Sequence, residues 1–439
     1  MRIGIRREDK NEWEARVPLI PTDVKKLVNN GIEVFLQPSS IRIFSDQEYL
    51  NVGASISEDL SSCSAVLAVK EIPIDFIEKS KTYVFFSHTI KGQDYNMPLL
   101  KKMMNEKTQL IDYERIVNEK GQRLIFFGRH AGLAGMIDSL RALGKRFEYE
   151  GVNNPFSKAK KTYEYRGLEN AKKQIGKIAD EIHKNGIPKA MRPLVCGFSG
   201  YGNVSQGAQE IFDIFPHKEI SPQDLLTNKN LFDDSKHVLY KTVFKESDLV
   251  EPKNAINIFE LQDYYDNPDK YKSKFENYIS KLTILMNCIY WDTSYPRLIT
   301  LDYLKRVWSE SKDQKLKVIG DISCDIDGAI QCTVKSTEPG NPVYVFNPIN
   351  NSVIDGVESD GPVIMAVDNL PCELAEEASK SFSKVLVNFI SQLASTNYNI
   401  TFKDLKLPDE LLRGMILYKG NLTDEYKYLE KYLLKHKGR

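Results

Sequence analysis

The chain has no surplus of charge of either sign: 60 Lys and Arg balance 60 Asp and Glu. That removes any global electrostatic case for nucleic acid or an anionic membrane surface. Long apolar runs are missing too. Residues 65–69 and 124–127 are typical of what is there, far short of the roughly 20 residues a spanning helix needs. Cysteine is scarce. Cys63, Cys196, Cys288, Cys324, Cys332 and Cys372 are scattered and form no C-x-x-C pair. A disulfide framework and a zinc site are therefore not expected, and no metal is assigned. Most of these thiols lie in or beside apolar stretches, where cysteine packs as a small hydrophobe. Strand-like sequence begins at Ile3 and leaves no room for a signal or transit segment. A cytoplasmic location is the expectation.

What is present is a globular composition, 41% apolar over 439 residues, enough for two or three domains. The first third alternates strand and helix signals. Strands are expected over 2–6, 32–36, 65–70, 83–88, 109–113 and 123–127, and helices over 22–30, 46–53 and 97–106. Thr22 is placed to cap the first of these helices and Gly31 to stop it. Such alternation argues for a parallel, doubly wound sheet. A long helix follows over 131–149. Its small residues Ala131, Gly132, Ala134 and Gly135 permit close backbone approach, and it reads as a bridge between domains. A polar loop covers 153–165 and an amphipathic helix 168–185. A second α/β unit opens with a strand over 192–196 and continues with strands over 238–243, 282–287 and 318–322. The stretch 221–278, rich in Asp, Lys, Asn and Tyr, reads as an elaboration of that unit. Helices are expected over 374–393 and 424–436, the charged end from Lys427 to Arg439 forming a solvated face.

Residues 192–208 read R-P-L-V-C-G-F-S-G-Y-G-N-V-S-Q-G-A. An apolar strand runs into a glycine turn, and a helix begins after it. Gly200 and Gly202 supply the first two glycines of G-x-G-x-x-G. Ser205 stands where the third glycine usually is, with Gly207 two residues on. The first glycine permits the tight turn, and the second lets a pyrophosphate approach the backbone. The helix start then offers unpaired N–H groups to phosphate. The ribose is read at the end of the next strand, roughly 20 residues on. That strand covers about 217–221, with Ser221 at its end and Glu219 two positions earlier. A carboxylate there would accept the 2′-OH of NAD and repel the 2′-phosphate of NADP. Its absence at Ser221 leans toward NADP(H), with NAD(H) still open.

Two further strand ends carry chemistry. One strand ends in Lys70 and Glu71, the other in His88 with Lys91 close behind. In a parallel sheet these ends share one rim, where ligands bind. A desolvated Lys near other cations loses pKa and can act as a base near neutrality, and His titrates there unaided. Lys and His at strand ends are also ordinary exposed termini, so spacing alone leaves both readings open. Arg16 follows Glu14 in the loop after the first strand, and Arg123 follows Glu114. Their forked guanidiniums suit a substrate with several carboxylates, or equally a surface ion pair.

At this point the residues carry a resemblance. The opening R-R-E-D-K-N-E-W-E-A-R-V-P-L-I-P, then V-K-E, F-F-S-H-T-I-K and G-L-A-G-M, resemble the lysine-ketoglutarate reductase domain. That domain is the N-terminal half of the bifunctional aminoadipic semialdehyde synthase of animals and plants. The likeness runs in order through G-Y-G-N-V-S-Q-G-A-Q, N-C-I-Y-W, P-R-L-I-T, G-D-I-S-C-D and V-D-N-L-P to G-N-L-T-D-E-Y-K-Y-L. The chain is more distantly similar to the fungal lysine-forming saccharopine dehydrogenase and to alanine dehydrogenase. The resemblance implies two doubly wound α/β domains flanking a cleft. Residues 1–135, completed by C-terminal helices over 370–439, would hold the substrate, and 136–369 would be a Rossmann domain. It implies Lys70 and His88 as the acid–base pair. Arg16, Lys91, Gln93, Glu71, Glu114, Arg123 and Phe127 fall on the substrate side. Gly200, Gly202, Asn203, Val204, Ser221, Ile289, Tyr290, Asp321, Ser323 and Asp325 fall on the cofactor side, Asp325 near the nicotinamide. The animal and plant domain uses NADPH and the fungal enzyme NAD. Ser221 departs from the Glu expected before Pro222.

The implied reaction condenses lysine with 2-oxoglutarate and reduces the imine to saccharopine, in lysine breakdown. The chain ends where the reductase half of such a protein would, so a separate saccharopine-cleaving enzyme is expected. The implied partners are these small molecules, without nucleic acid or membrane, and a homo-oligomer is allowed. Two other readings stay open. One is a relative with another substrate, the NAD-dependent lysine-forming enzyme or an alanine dehydrogenase. The other is a non-catalytic NADP-binding regulator that kept the fold.

Overall fold

Short runs of β-branched and aromatic residues, buried on both faces, form two large sheets in which parallel pairing dominates. The structure is a computed structural model and describes residues 1–227 and 235–435. The expected end of the last helix at His436, and the charged residues to Arg439, lie outside the described residues. The chain divides into two units: Met1–Phe127 with Ala375–Arg439, and Gly128–Leu374. The boundary expected at residue 135 falls inside the helix Gly128–Tyr149, which belongs wholly to the second unit.

In the first unit an eight-stranded sheet has Arg2–Ile5 and Ala65–Leu67 side by side near its centre. Glu33–Leu36 and Ser55–Ile56 extend it on one side, Thr82–Phe85 and Gln109–Asp112 on the other, all parallel. A strand was expected over 123–127. The structure has none there, only an isolated bridge from Arg123 back to Val117. The place beside Gln109–Asp112 is taken by Met415–Tyr418, which pairs antiparallel and turns back through Asn421–Leu422. A partner from the far end of the chain thus displaces a nearby apolar run. The first helix is Pro21–Asn29 rather than one capped by Thr22. Proline at the first helical position gives up an N–H that the helix leaves unpaired anyway. The helix Ala375–Ser395 is stitched to the preceding loop by hydroxyls. Ser379 Oγ accepts from the Val17 N–H at 3.0 Å. Ser383 Oγ accepts from Ile20 N–H at 3.1 Å and donates to Asp23 Oδ2 at 2.6 Å.

In the second unit the sheet order, read from one edge, is His217–Glu219, Leu239–Phe244, Val195–Ser199, Ile284–Asn287, Val318–Asp321 and Val363–Met365, all parallel. Val343–Phe346 and Val353–Asp355 close the other edge antiparallel. The strand following the glycine loop in sequence is therefore not its neighbour in the sheet; Leu239–Phe244 is. The rest of the stretch 221–278 includes a small hairpin, Val250–Pro252 with Tyr271–Ser273. Gly128 and Gly132 of the helix Gly128–Tyr149 face the helix Asn203–Phe212. A Cβ on Gly132 would sit 2.0 Å from the Val204 carbonyl oxygen, and one on Gly207 would sit 2.1 Å from that of Arg129. Backbone meets backbone here, which no larger residue permits.

Candidate active site

The first unit gathers charge just past the carboxyl ends of two adjacent parallel strands, Ala65–Leu67 and Thr82–Phe85. Lys70 follows the first and His88 the second. His88 Nδ1 lies 2.6 Å from Glu71 Oε1, and Lys10 Nζ reaches Glu71 Oε2 at 3.0 Å. His88 takes a left-handed φ of 51°, an uncommon backbone for a residue with a Cβ. The loop around it is held on both sides. Asp112 Oδ2 accepts the Ser87 N–H at 2.9 Å and also the Ser87 hydroxyl. Asn96 Nδ2 donates to the His88 carbonyl at 3.0 Å, and the Tyr428 hydroxyl donates to that of Ile90 at 2.7 Å. Lys91 and Gln93 stand exposed in the turn that follows, Gln93 accepting from Tyr95.

Glu8 reaches the other strand end. Its two oxygens accept the N–H groups of Val69 at 2.6 Å and Lys70 at 2.9 Å, fixing the backbone under Lys70. Arg16 is fully buried against Glu14 in a two-pronged pair, both contacts 2.6 Å, with its guanidinium 4.4 Å above the Phe127 ring. Phe127 stacks on Phe382 of the C-terminal helix, and Phe86 packs with Phe127, Tyr113, Phe382 and the His88 ring. Arg123 pairs with Glu114 and stays half exposed.

This environment sets the ionisation. Burial lowers the pKa of the Lys70 ammonium and the cations of Arg16 and Lys10 lower it further, against the pull of Glu14 and Glu71. Burial, then the Glu14 carboxylate, pushes Glu8 up to about 8, although Val69 and Lys70 donate to it. Burial also works against Glu71, but the His88 bond and the nearby cations outweigh it and hold Glu71 at about 2. The cluster therefore offers a Lys inclined to lose its proton, a His backed by an ionised carboxylate, and the buried arginine Arg16. Such a set can move protons and hold carboxylates.

The second unit holds its group differently. Gly200 makes the turn at φ +85°, and a Cβ on Gly202 would meet nothing within 4 Å. Asn203 and Val204 open the following helix, whose start has no side-chain cap. Open space over uncapped N–H groups fits a dinucleotide's pyrophosphate. Beside it lies a cavity of about 430 Å³ lined by the two glycines, Glu246, Ile289 and a set of aromatic rings including Tyr265, Tyr290 and Trp291. Of the other expected cofactor residues, Asp321 is buried. Its oxygens accept from Thr333 at 2.5 Å and Asn287 at 2.8 Å, and burial lifts its pKa to about 6. Ser323 donates to the Ile289 carbonyl at 2.5 Å. Asp325 is exposed. Ser221 lies apart from the loop's neighbour strand. It sits after the edge strand, where its hydroxyl accepts the Asp224 N–H at 3.0 Å.

Models of the alanine dehydrogenase/PNT N-terminal and C-terminal domains match residues 4–134 and 269–425 in that order. The chain belongs to the alanine dehydrogenase/PNT family. A solved structure of an L-alanine dehydrogenase superposes with a TM-score of 0.64 at 17% identity, covering 99% of both chains, so the two share a fold. Within it, the chain is 38% identical over 445 residues to the alpha-aminoadipic semialdehyde synthase of Arabidopsis thaliana, covering 98% of this chain and 41% of that one. The mitochondrial alpha-aminoadipic semialdehyde synthase of Mus musculus is 33% identical, with coverage of 98% and 47%. The chain thus spans less than half the length of these curated relatives. The saccharopine dehydrogenase [NAD(+), L-lysine-forming] of Yarrowia lipolytica is 25% identical over 90% of this chain and 92% of that one.

The structure of this alanine dehydrogenase/PNT chain brings Lys70, Glu71, His88 and Arg16 into one charged cluster, with Phe127 beneath Arg16. The sequence gives no site role to three acids. Glu8 and Glu14 lie in the charged opening segment, Glu14 marked only as the acid two residues before Arg16, and nothing there distinguishes a buried carboxylate from a surface one. Glu246 lies far along the chain from the glycines it faces. Its only signal was its place just after a strand.

Proposed function

We propose that this chain is an oxidoreductase that condenses the ε-amine of lysine with the ketone of 2-oxoglutarate and reduces the imine to saccharopine. The observation that carries this is a Lys of lowered pKa and a Glu-backed His gathered at one rim with the buried Arg16. A substrate pair bearing several carboxylates and a reacting amine needs those groups together. The names of the relatives at 38% and 33% identity support the same pathway.

In this reading Lys70 accepts a proton from the incoming ammonium. His88, held by Glu71, returns a proton to the hydroxyl that leaves as water. Arg16 and Arg123 grip carboxylates and so hold the imine in one orientation, with Lys91, Gln93 and Glu114 at the margin. Glu8 keeps the Lys70 backbone in place. When bound, a nicotinamide dinucleotide supplies the hydride. Gly200, Gly202, Asn203 and Val204 would hold its pyrophosphate, and Ile289 and Tyr290 would line its pocket. Asp321 and Ser323 would buttress the adjoining loop, and Asp325 would lie toward the nicotinamide. NADP(H) was expected because Ser221 supplies no carboxylate, but Ser221 follows the edge strand His217–Glu219, one strand away from the neighbour of the glycine strand.

The test is oxidation of NADH and NADPH, followed by absorbance, with lysine and 2-oxoglutarate and with each omitted in turn. Signal that requires both substrates is the expected result. Signal with pyruvate and ammonia instead would make the chain an alanine dehydrogenase. Tight nucleotide binding with no turnover would make it a regulator.

A further inference from the structure

The sheet order of the second unit decides which residue meets the cofactor's ribose. In a dinucleotide-binding sheet the adenosine ribose lies over the end of the strand beside the glycine strand. Here that strand is Leu239–Phe244, hydrogen-bonded along Val195–Ser199, and the residues just past it are Lys245 and Glu246. His217–Glu219 with Ser221 lies one strand further out, at the edge. Glu246 also lines the cavity that Gly200 and Gly202 open into. Its Oε1 accepts the Tyr265 hydroxyl at 2.8 Å and faces that of Tyr201 at 3.4 Å. Tyr201 is the residue between the two glycines. The carboxylate is thus tied to the phosphate turn itself, and both phenols donate to one oxygen.

Lys245, the cation nearest in sequence, is exposed, and its backbone N–H donates to a second acid, Asp248, at 2.9 Å. Lys241, on the same strand, is buried and committed to Asp213 at 2.8 Å. A ribose 2′-OH could donate to Glu246. A 2′-phosphate would meet one carboxylate directly and another close by.

We propose that Glu246 reads the adenosine ribose in place of Ser221, and that it makes this chain select NAD(H) over NADP(H). The proposal rests on the reading of the second unit as a nicotinamide-nucleotide site, and it is independent of what the first unit binds.

The test is equilibrium binding of NADH and NADPH to the full chain, followed by nucleotide fluorescence with lysine and 2-oxoglutarate absent. The wild type should bind NADH at least ~10-fold more tightly than NADPH, because like charges brought together are strongly disfavoured. Glu246→Gln, nearly isosteric, should bring the two affinities together by strengthening NADPH. Ser221→Glu, on the edge side, should leave the wild-type ratio as it is. Equal or tighter NADPH binding by the wild type would assign Lys245 to the 2′-phosphate and overturn the proposal. So would a ratio that moves in Ser221→Glu and not in Glu246→Gln. Binding of neither nucleotide would overturn this proposal and the cofactor reading together. A missing reaction with normal NADH binding would overturn only the proposed substrates.

Discussion

The two units present their groups in opposite ways. In the first, side chains do the work: carboxylates, a Lys, a His and a buried arginine crowd one rim, and burial and neighbouring charges shift Lys70, Glu8 and Glu71. In the second, the backbone does it: glycines clear space, a helix start offers N–H groups, and aromatic rings wall a cavity. A charge-centred site fails when a charge is removed. A backbone-centred site fails when an atom is added. The two kinds of substitution should therefore damage the units differently.

The largest effect should come from taking the proton-moving pair away. Lys70→Met combined with His88→Gln should lower turnover by ~10²–10⁴, the range of general acid–base catalysis. Nucleotide affinity, read separately by fluorescence, should hold. Turnover at the wild-type rate would remove both residues from the reaction.

Next is the buried ion pair. Glu14→Gln leaves the Arg16 guanidinium buried without its carboxylate, and urea denaturation should show a loss of about 3–5 kcal/mol. Glu14→Gln with Arg16→Met should restore much of that stability and still fail to bind substrate. A double variant that binds substrate normally would mean the pair is only structural.

Third is a pH effect from Glu71. Its folded pKa of about 2 lies below the ordinary 4.5. A depressed carboxylate adds stability that is present above the unfolded value and lost as pH falls through the folded one. The loss should fall between about pH 4.5 and 2 and amount to at most ~3 kcal/mol. Glu71→Gln should flatten the acid side of the stability curve across that window, measured by melting at each pH.

The same contrast explains what the sequence disclosed. The glycine turn was legible because its physics is local: a strand, two glycines and a helix start lie within a dozen positions. Lys70 and His88 stood out only as residues at strand ends, which are also ordinary exposed termini, and their role as an acid–base pair came from the family resemblance. Glu246 was not legible, because only the sheet order puts Leu239–Phe244 beside Val195–Ser199, and strand order is a long-range choice. The missing strand at 123–127 has the same cause: Met415–Tyr418 competes for that edge and wins it from nearly 300 residues away. Glu8 and Glu14 look like solvated charge in the sequence, because burial of an acid in a loop leaves no periodic trace.

The backbone-centred unit should respond to a single methyl group. In Gly132→Ala the new Cβ would lie 2.0 Å from the Val204 carbonyl oxygen and 2.7 Å from the Ala208 nitrogen, so the two helices must part. The cost should be about 1–3 kcal/mol, seen as a lower melting temperature, with weaker nucleotide binding because Val204 sits in the first turn after the loop. Gly31→Ala, in the first unit, has open space around its Cβ but a φ of +79°. Comparing the two separates crowding from backbone strain.

The smallest effect is expected at Arg123, and it sharpens the contrast within the first unit. Its side chain is 51% exposed and its carboxylate partner, on Glu114, is largely buried. Exposed ion pairs contribute about 0–1 kcal/mol, so Arg123→Ala should leave melting nearly unchanged where the Glu14–Arg16 variants do not. If Arg123 grips a substrate carboxylate, it loses one charge-assisted contact, which should raise KM for one of the two substrates ~10-fold while kcat holds. Arg123→Lys should recover only part of this, since an ammonium keeps the charge and loses the fork. An unchanged KM for both substrates would leave Arg123 as a surface partner of Glu114 and place the carboxylate-holding role on Arg16 alone.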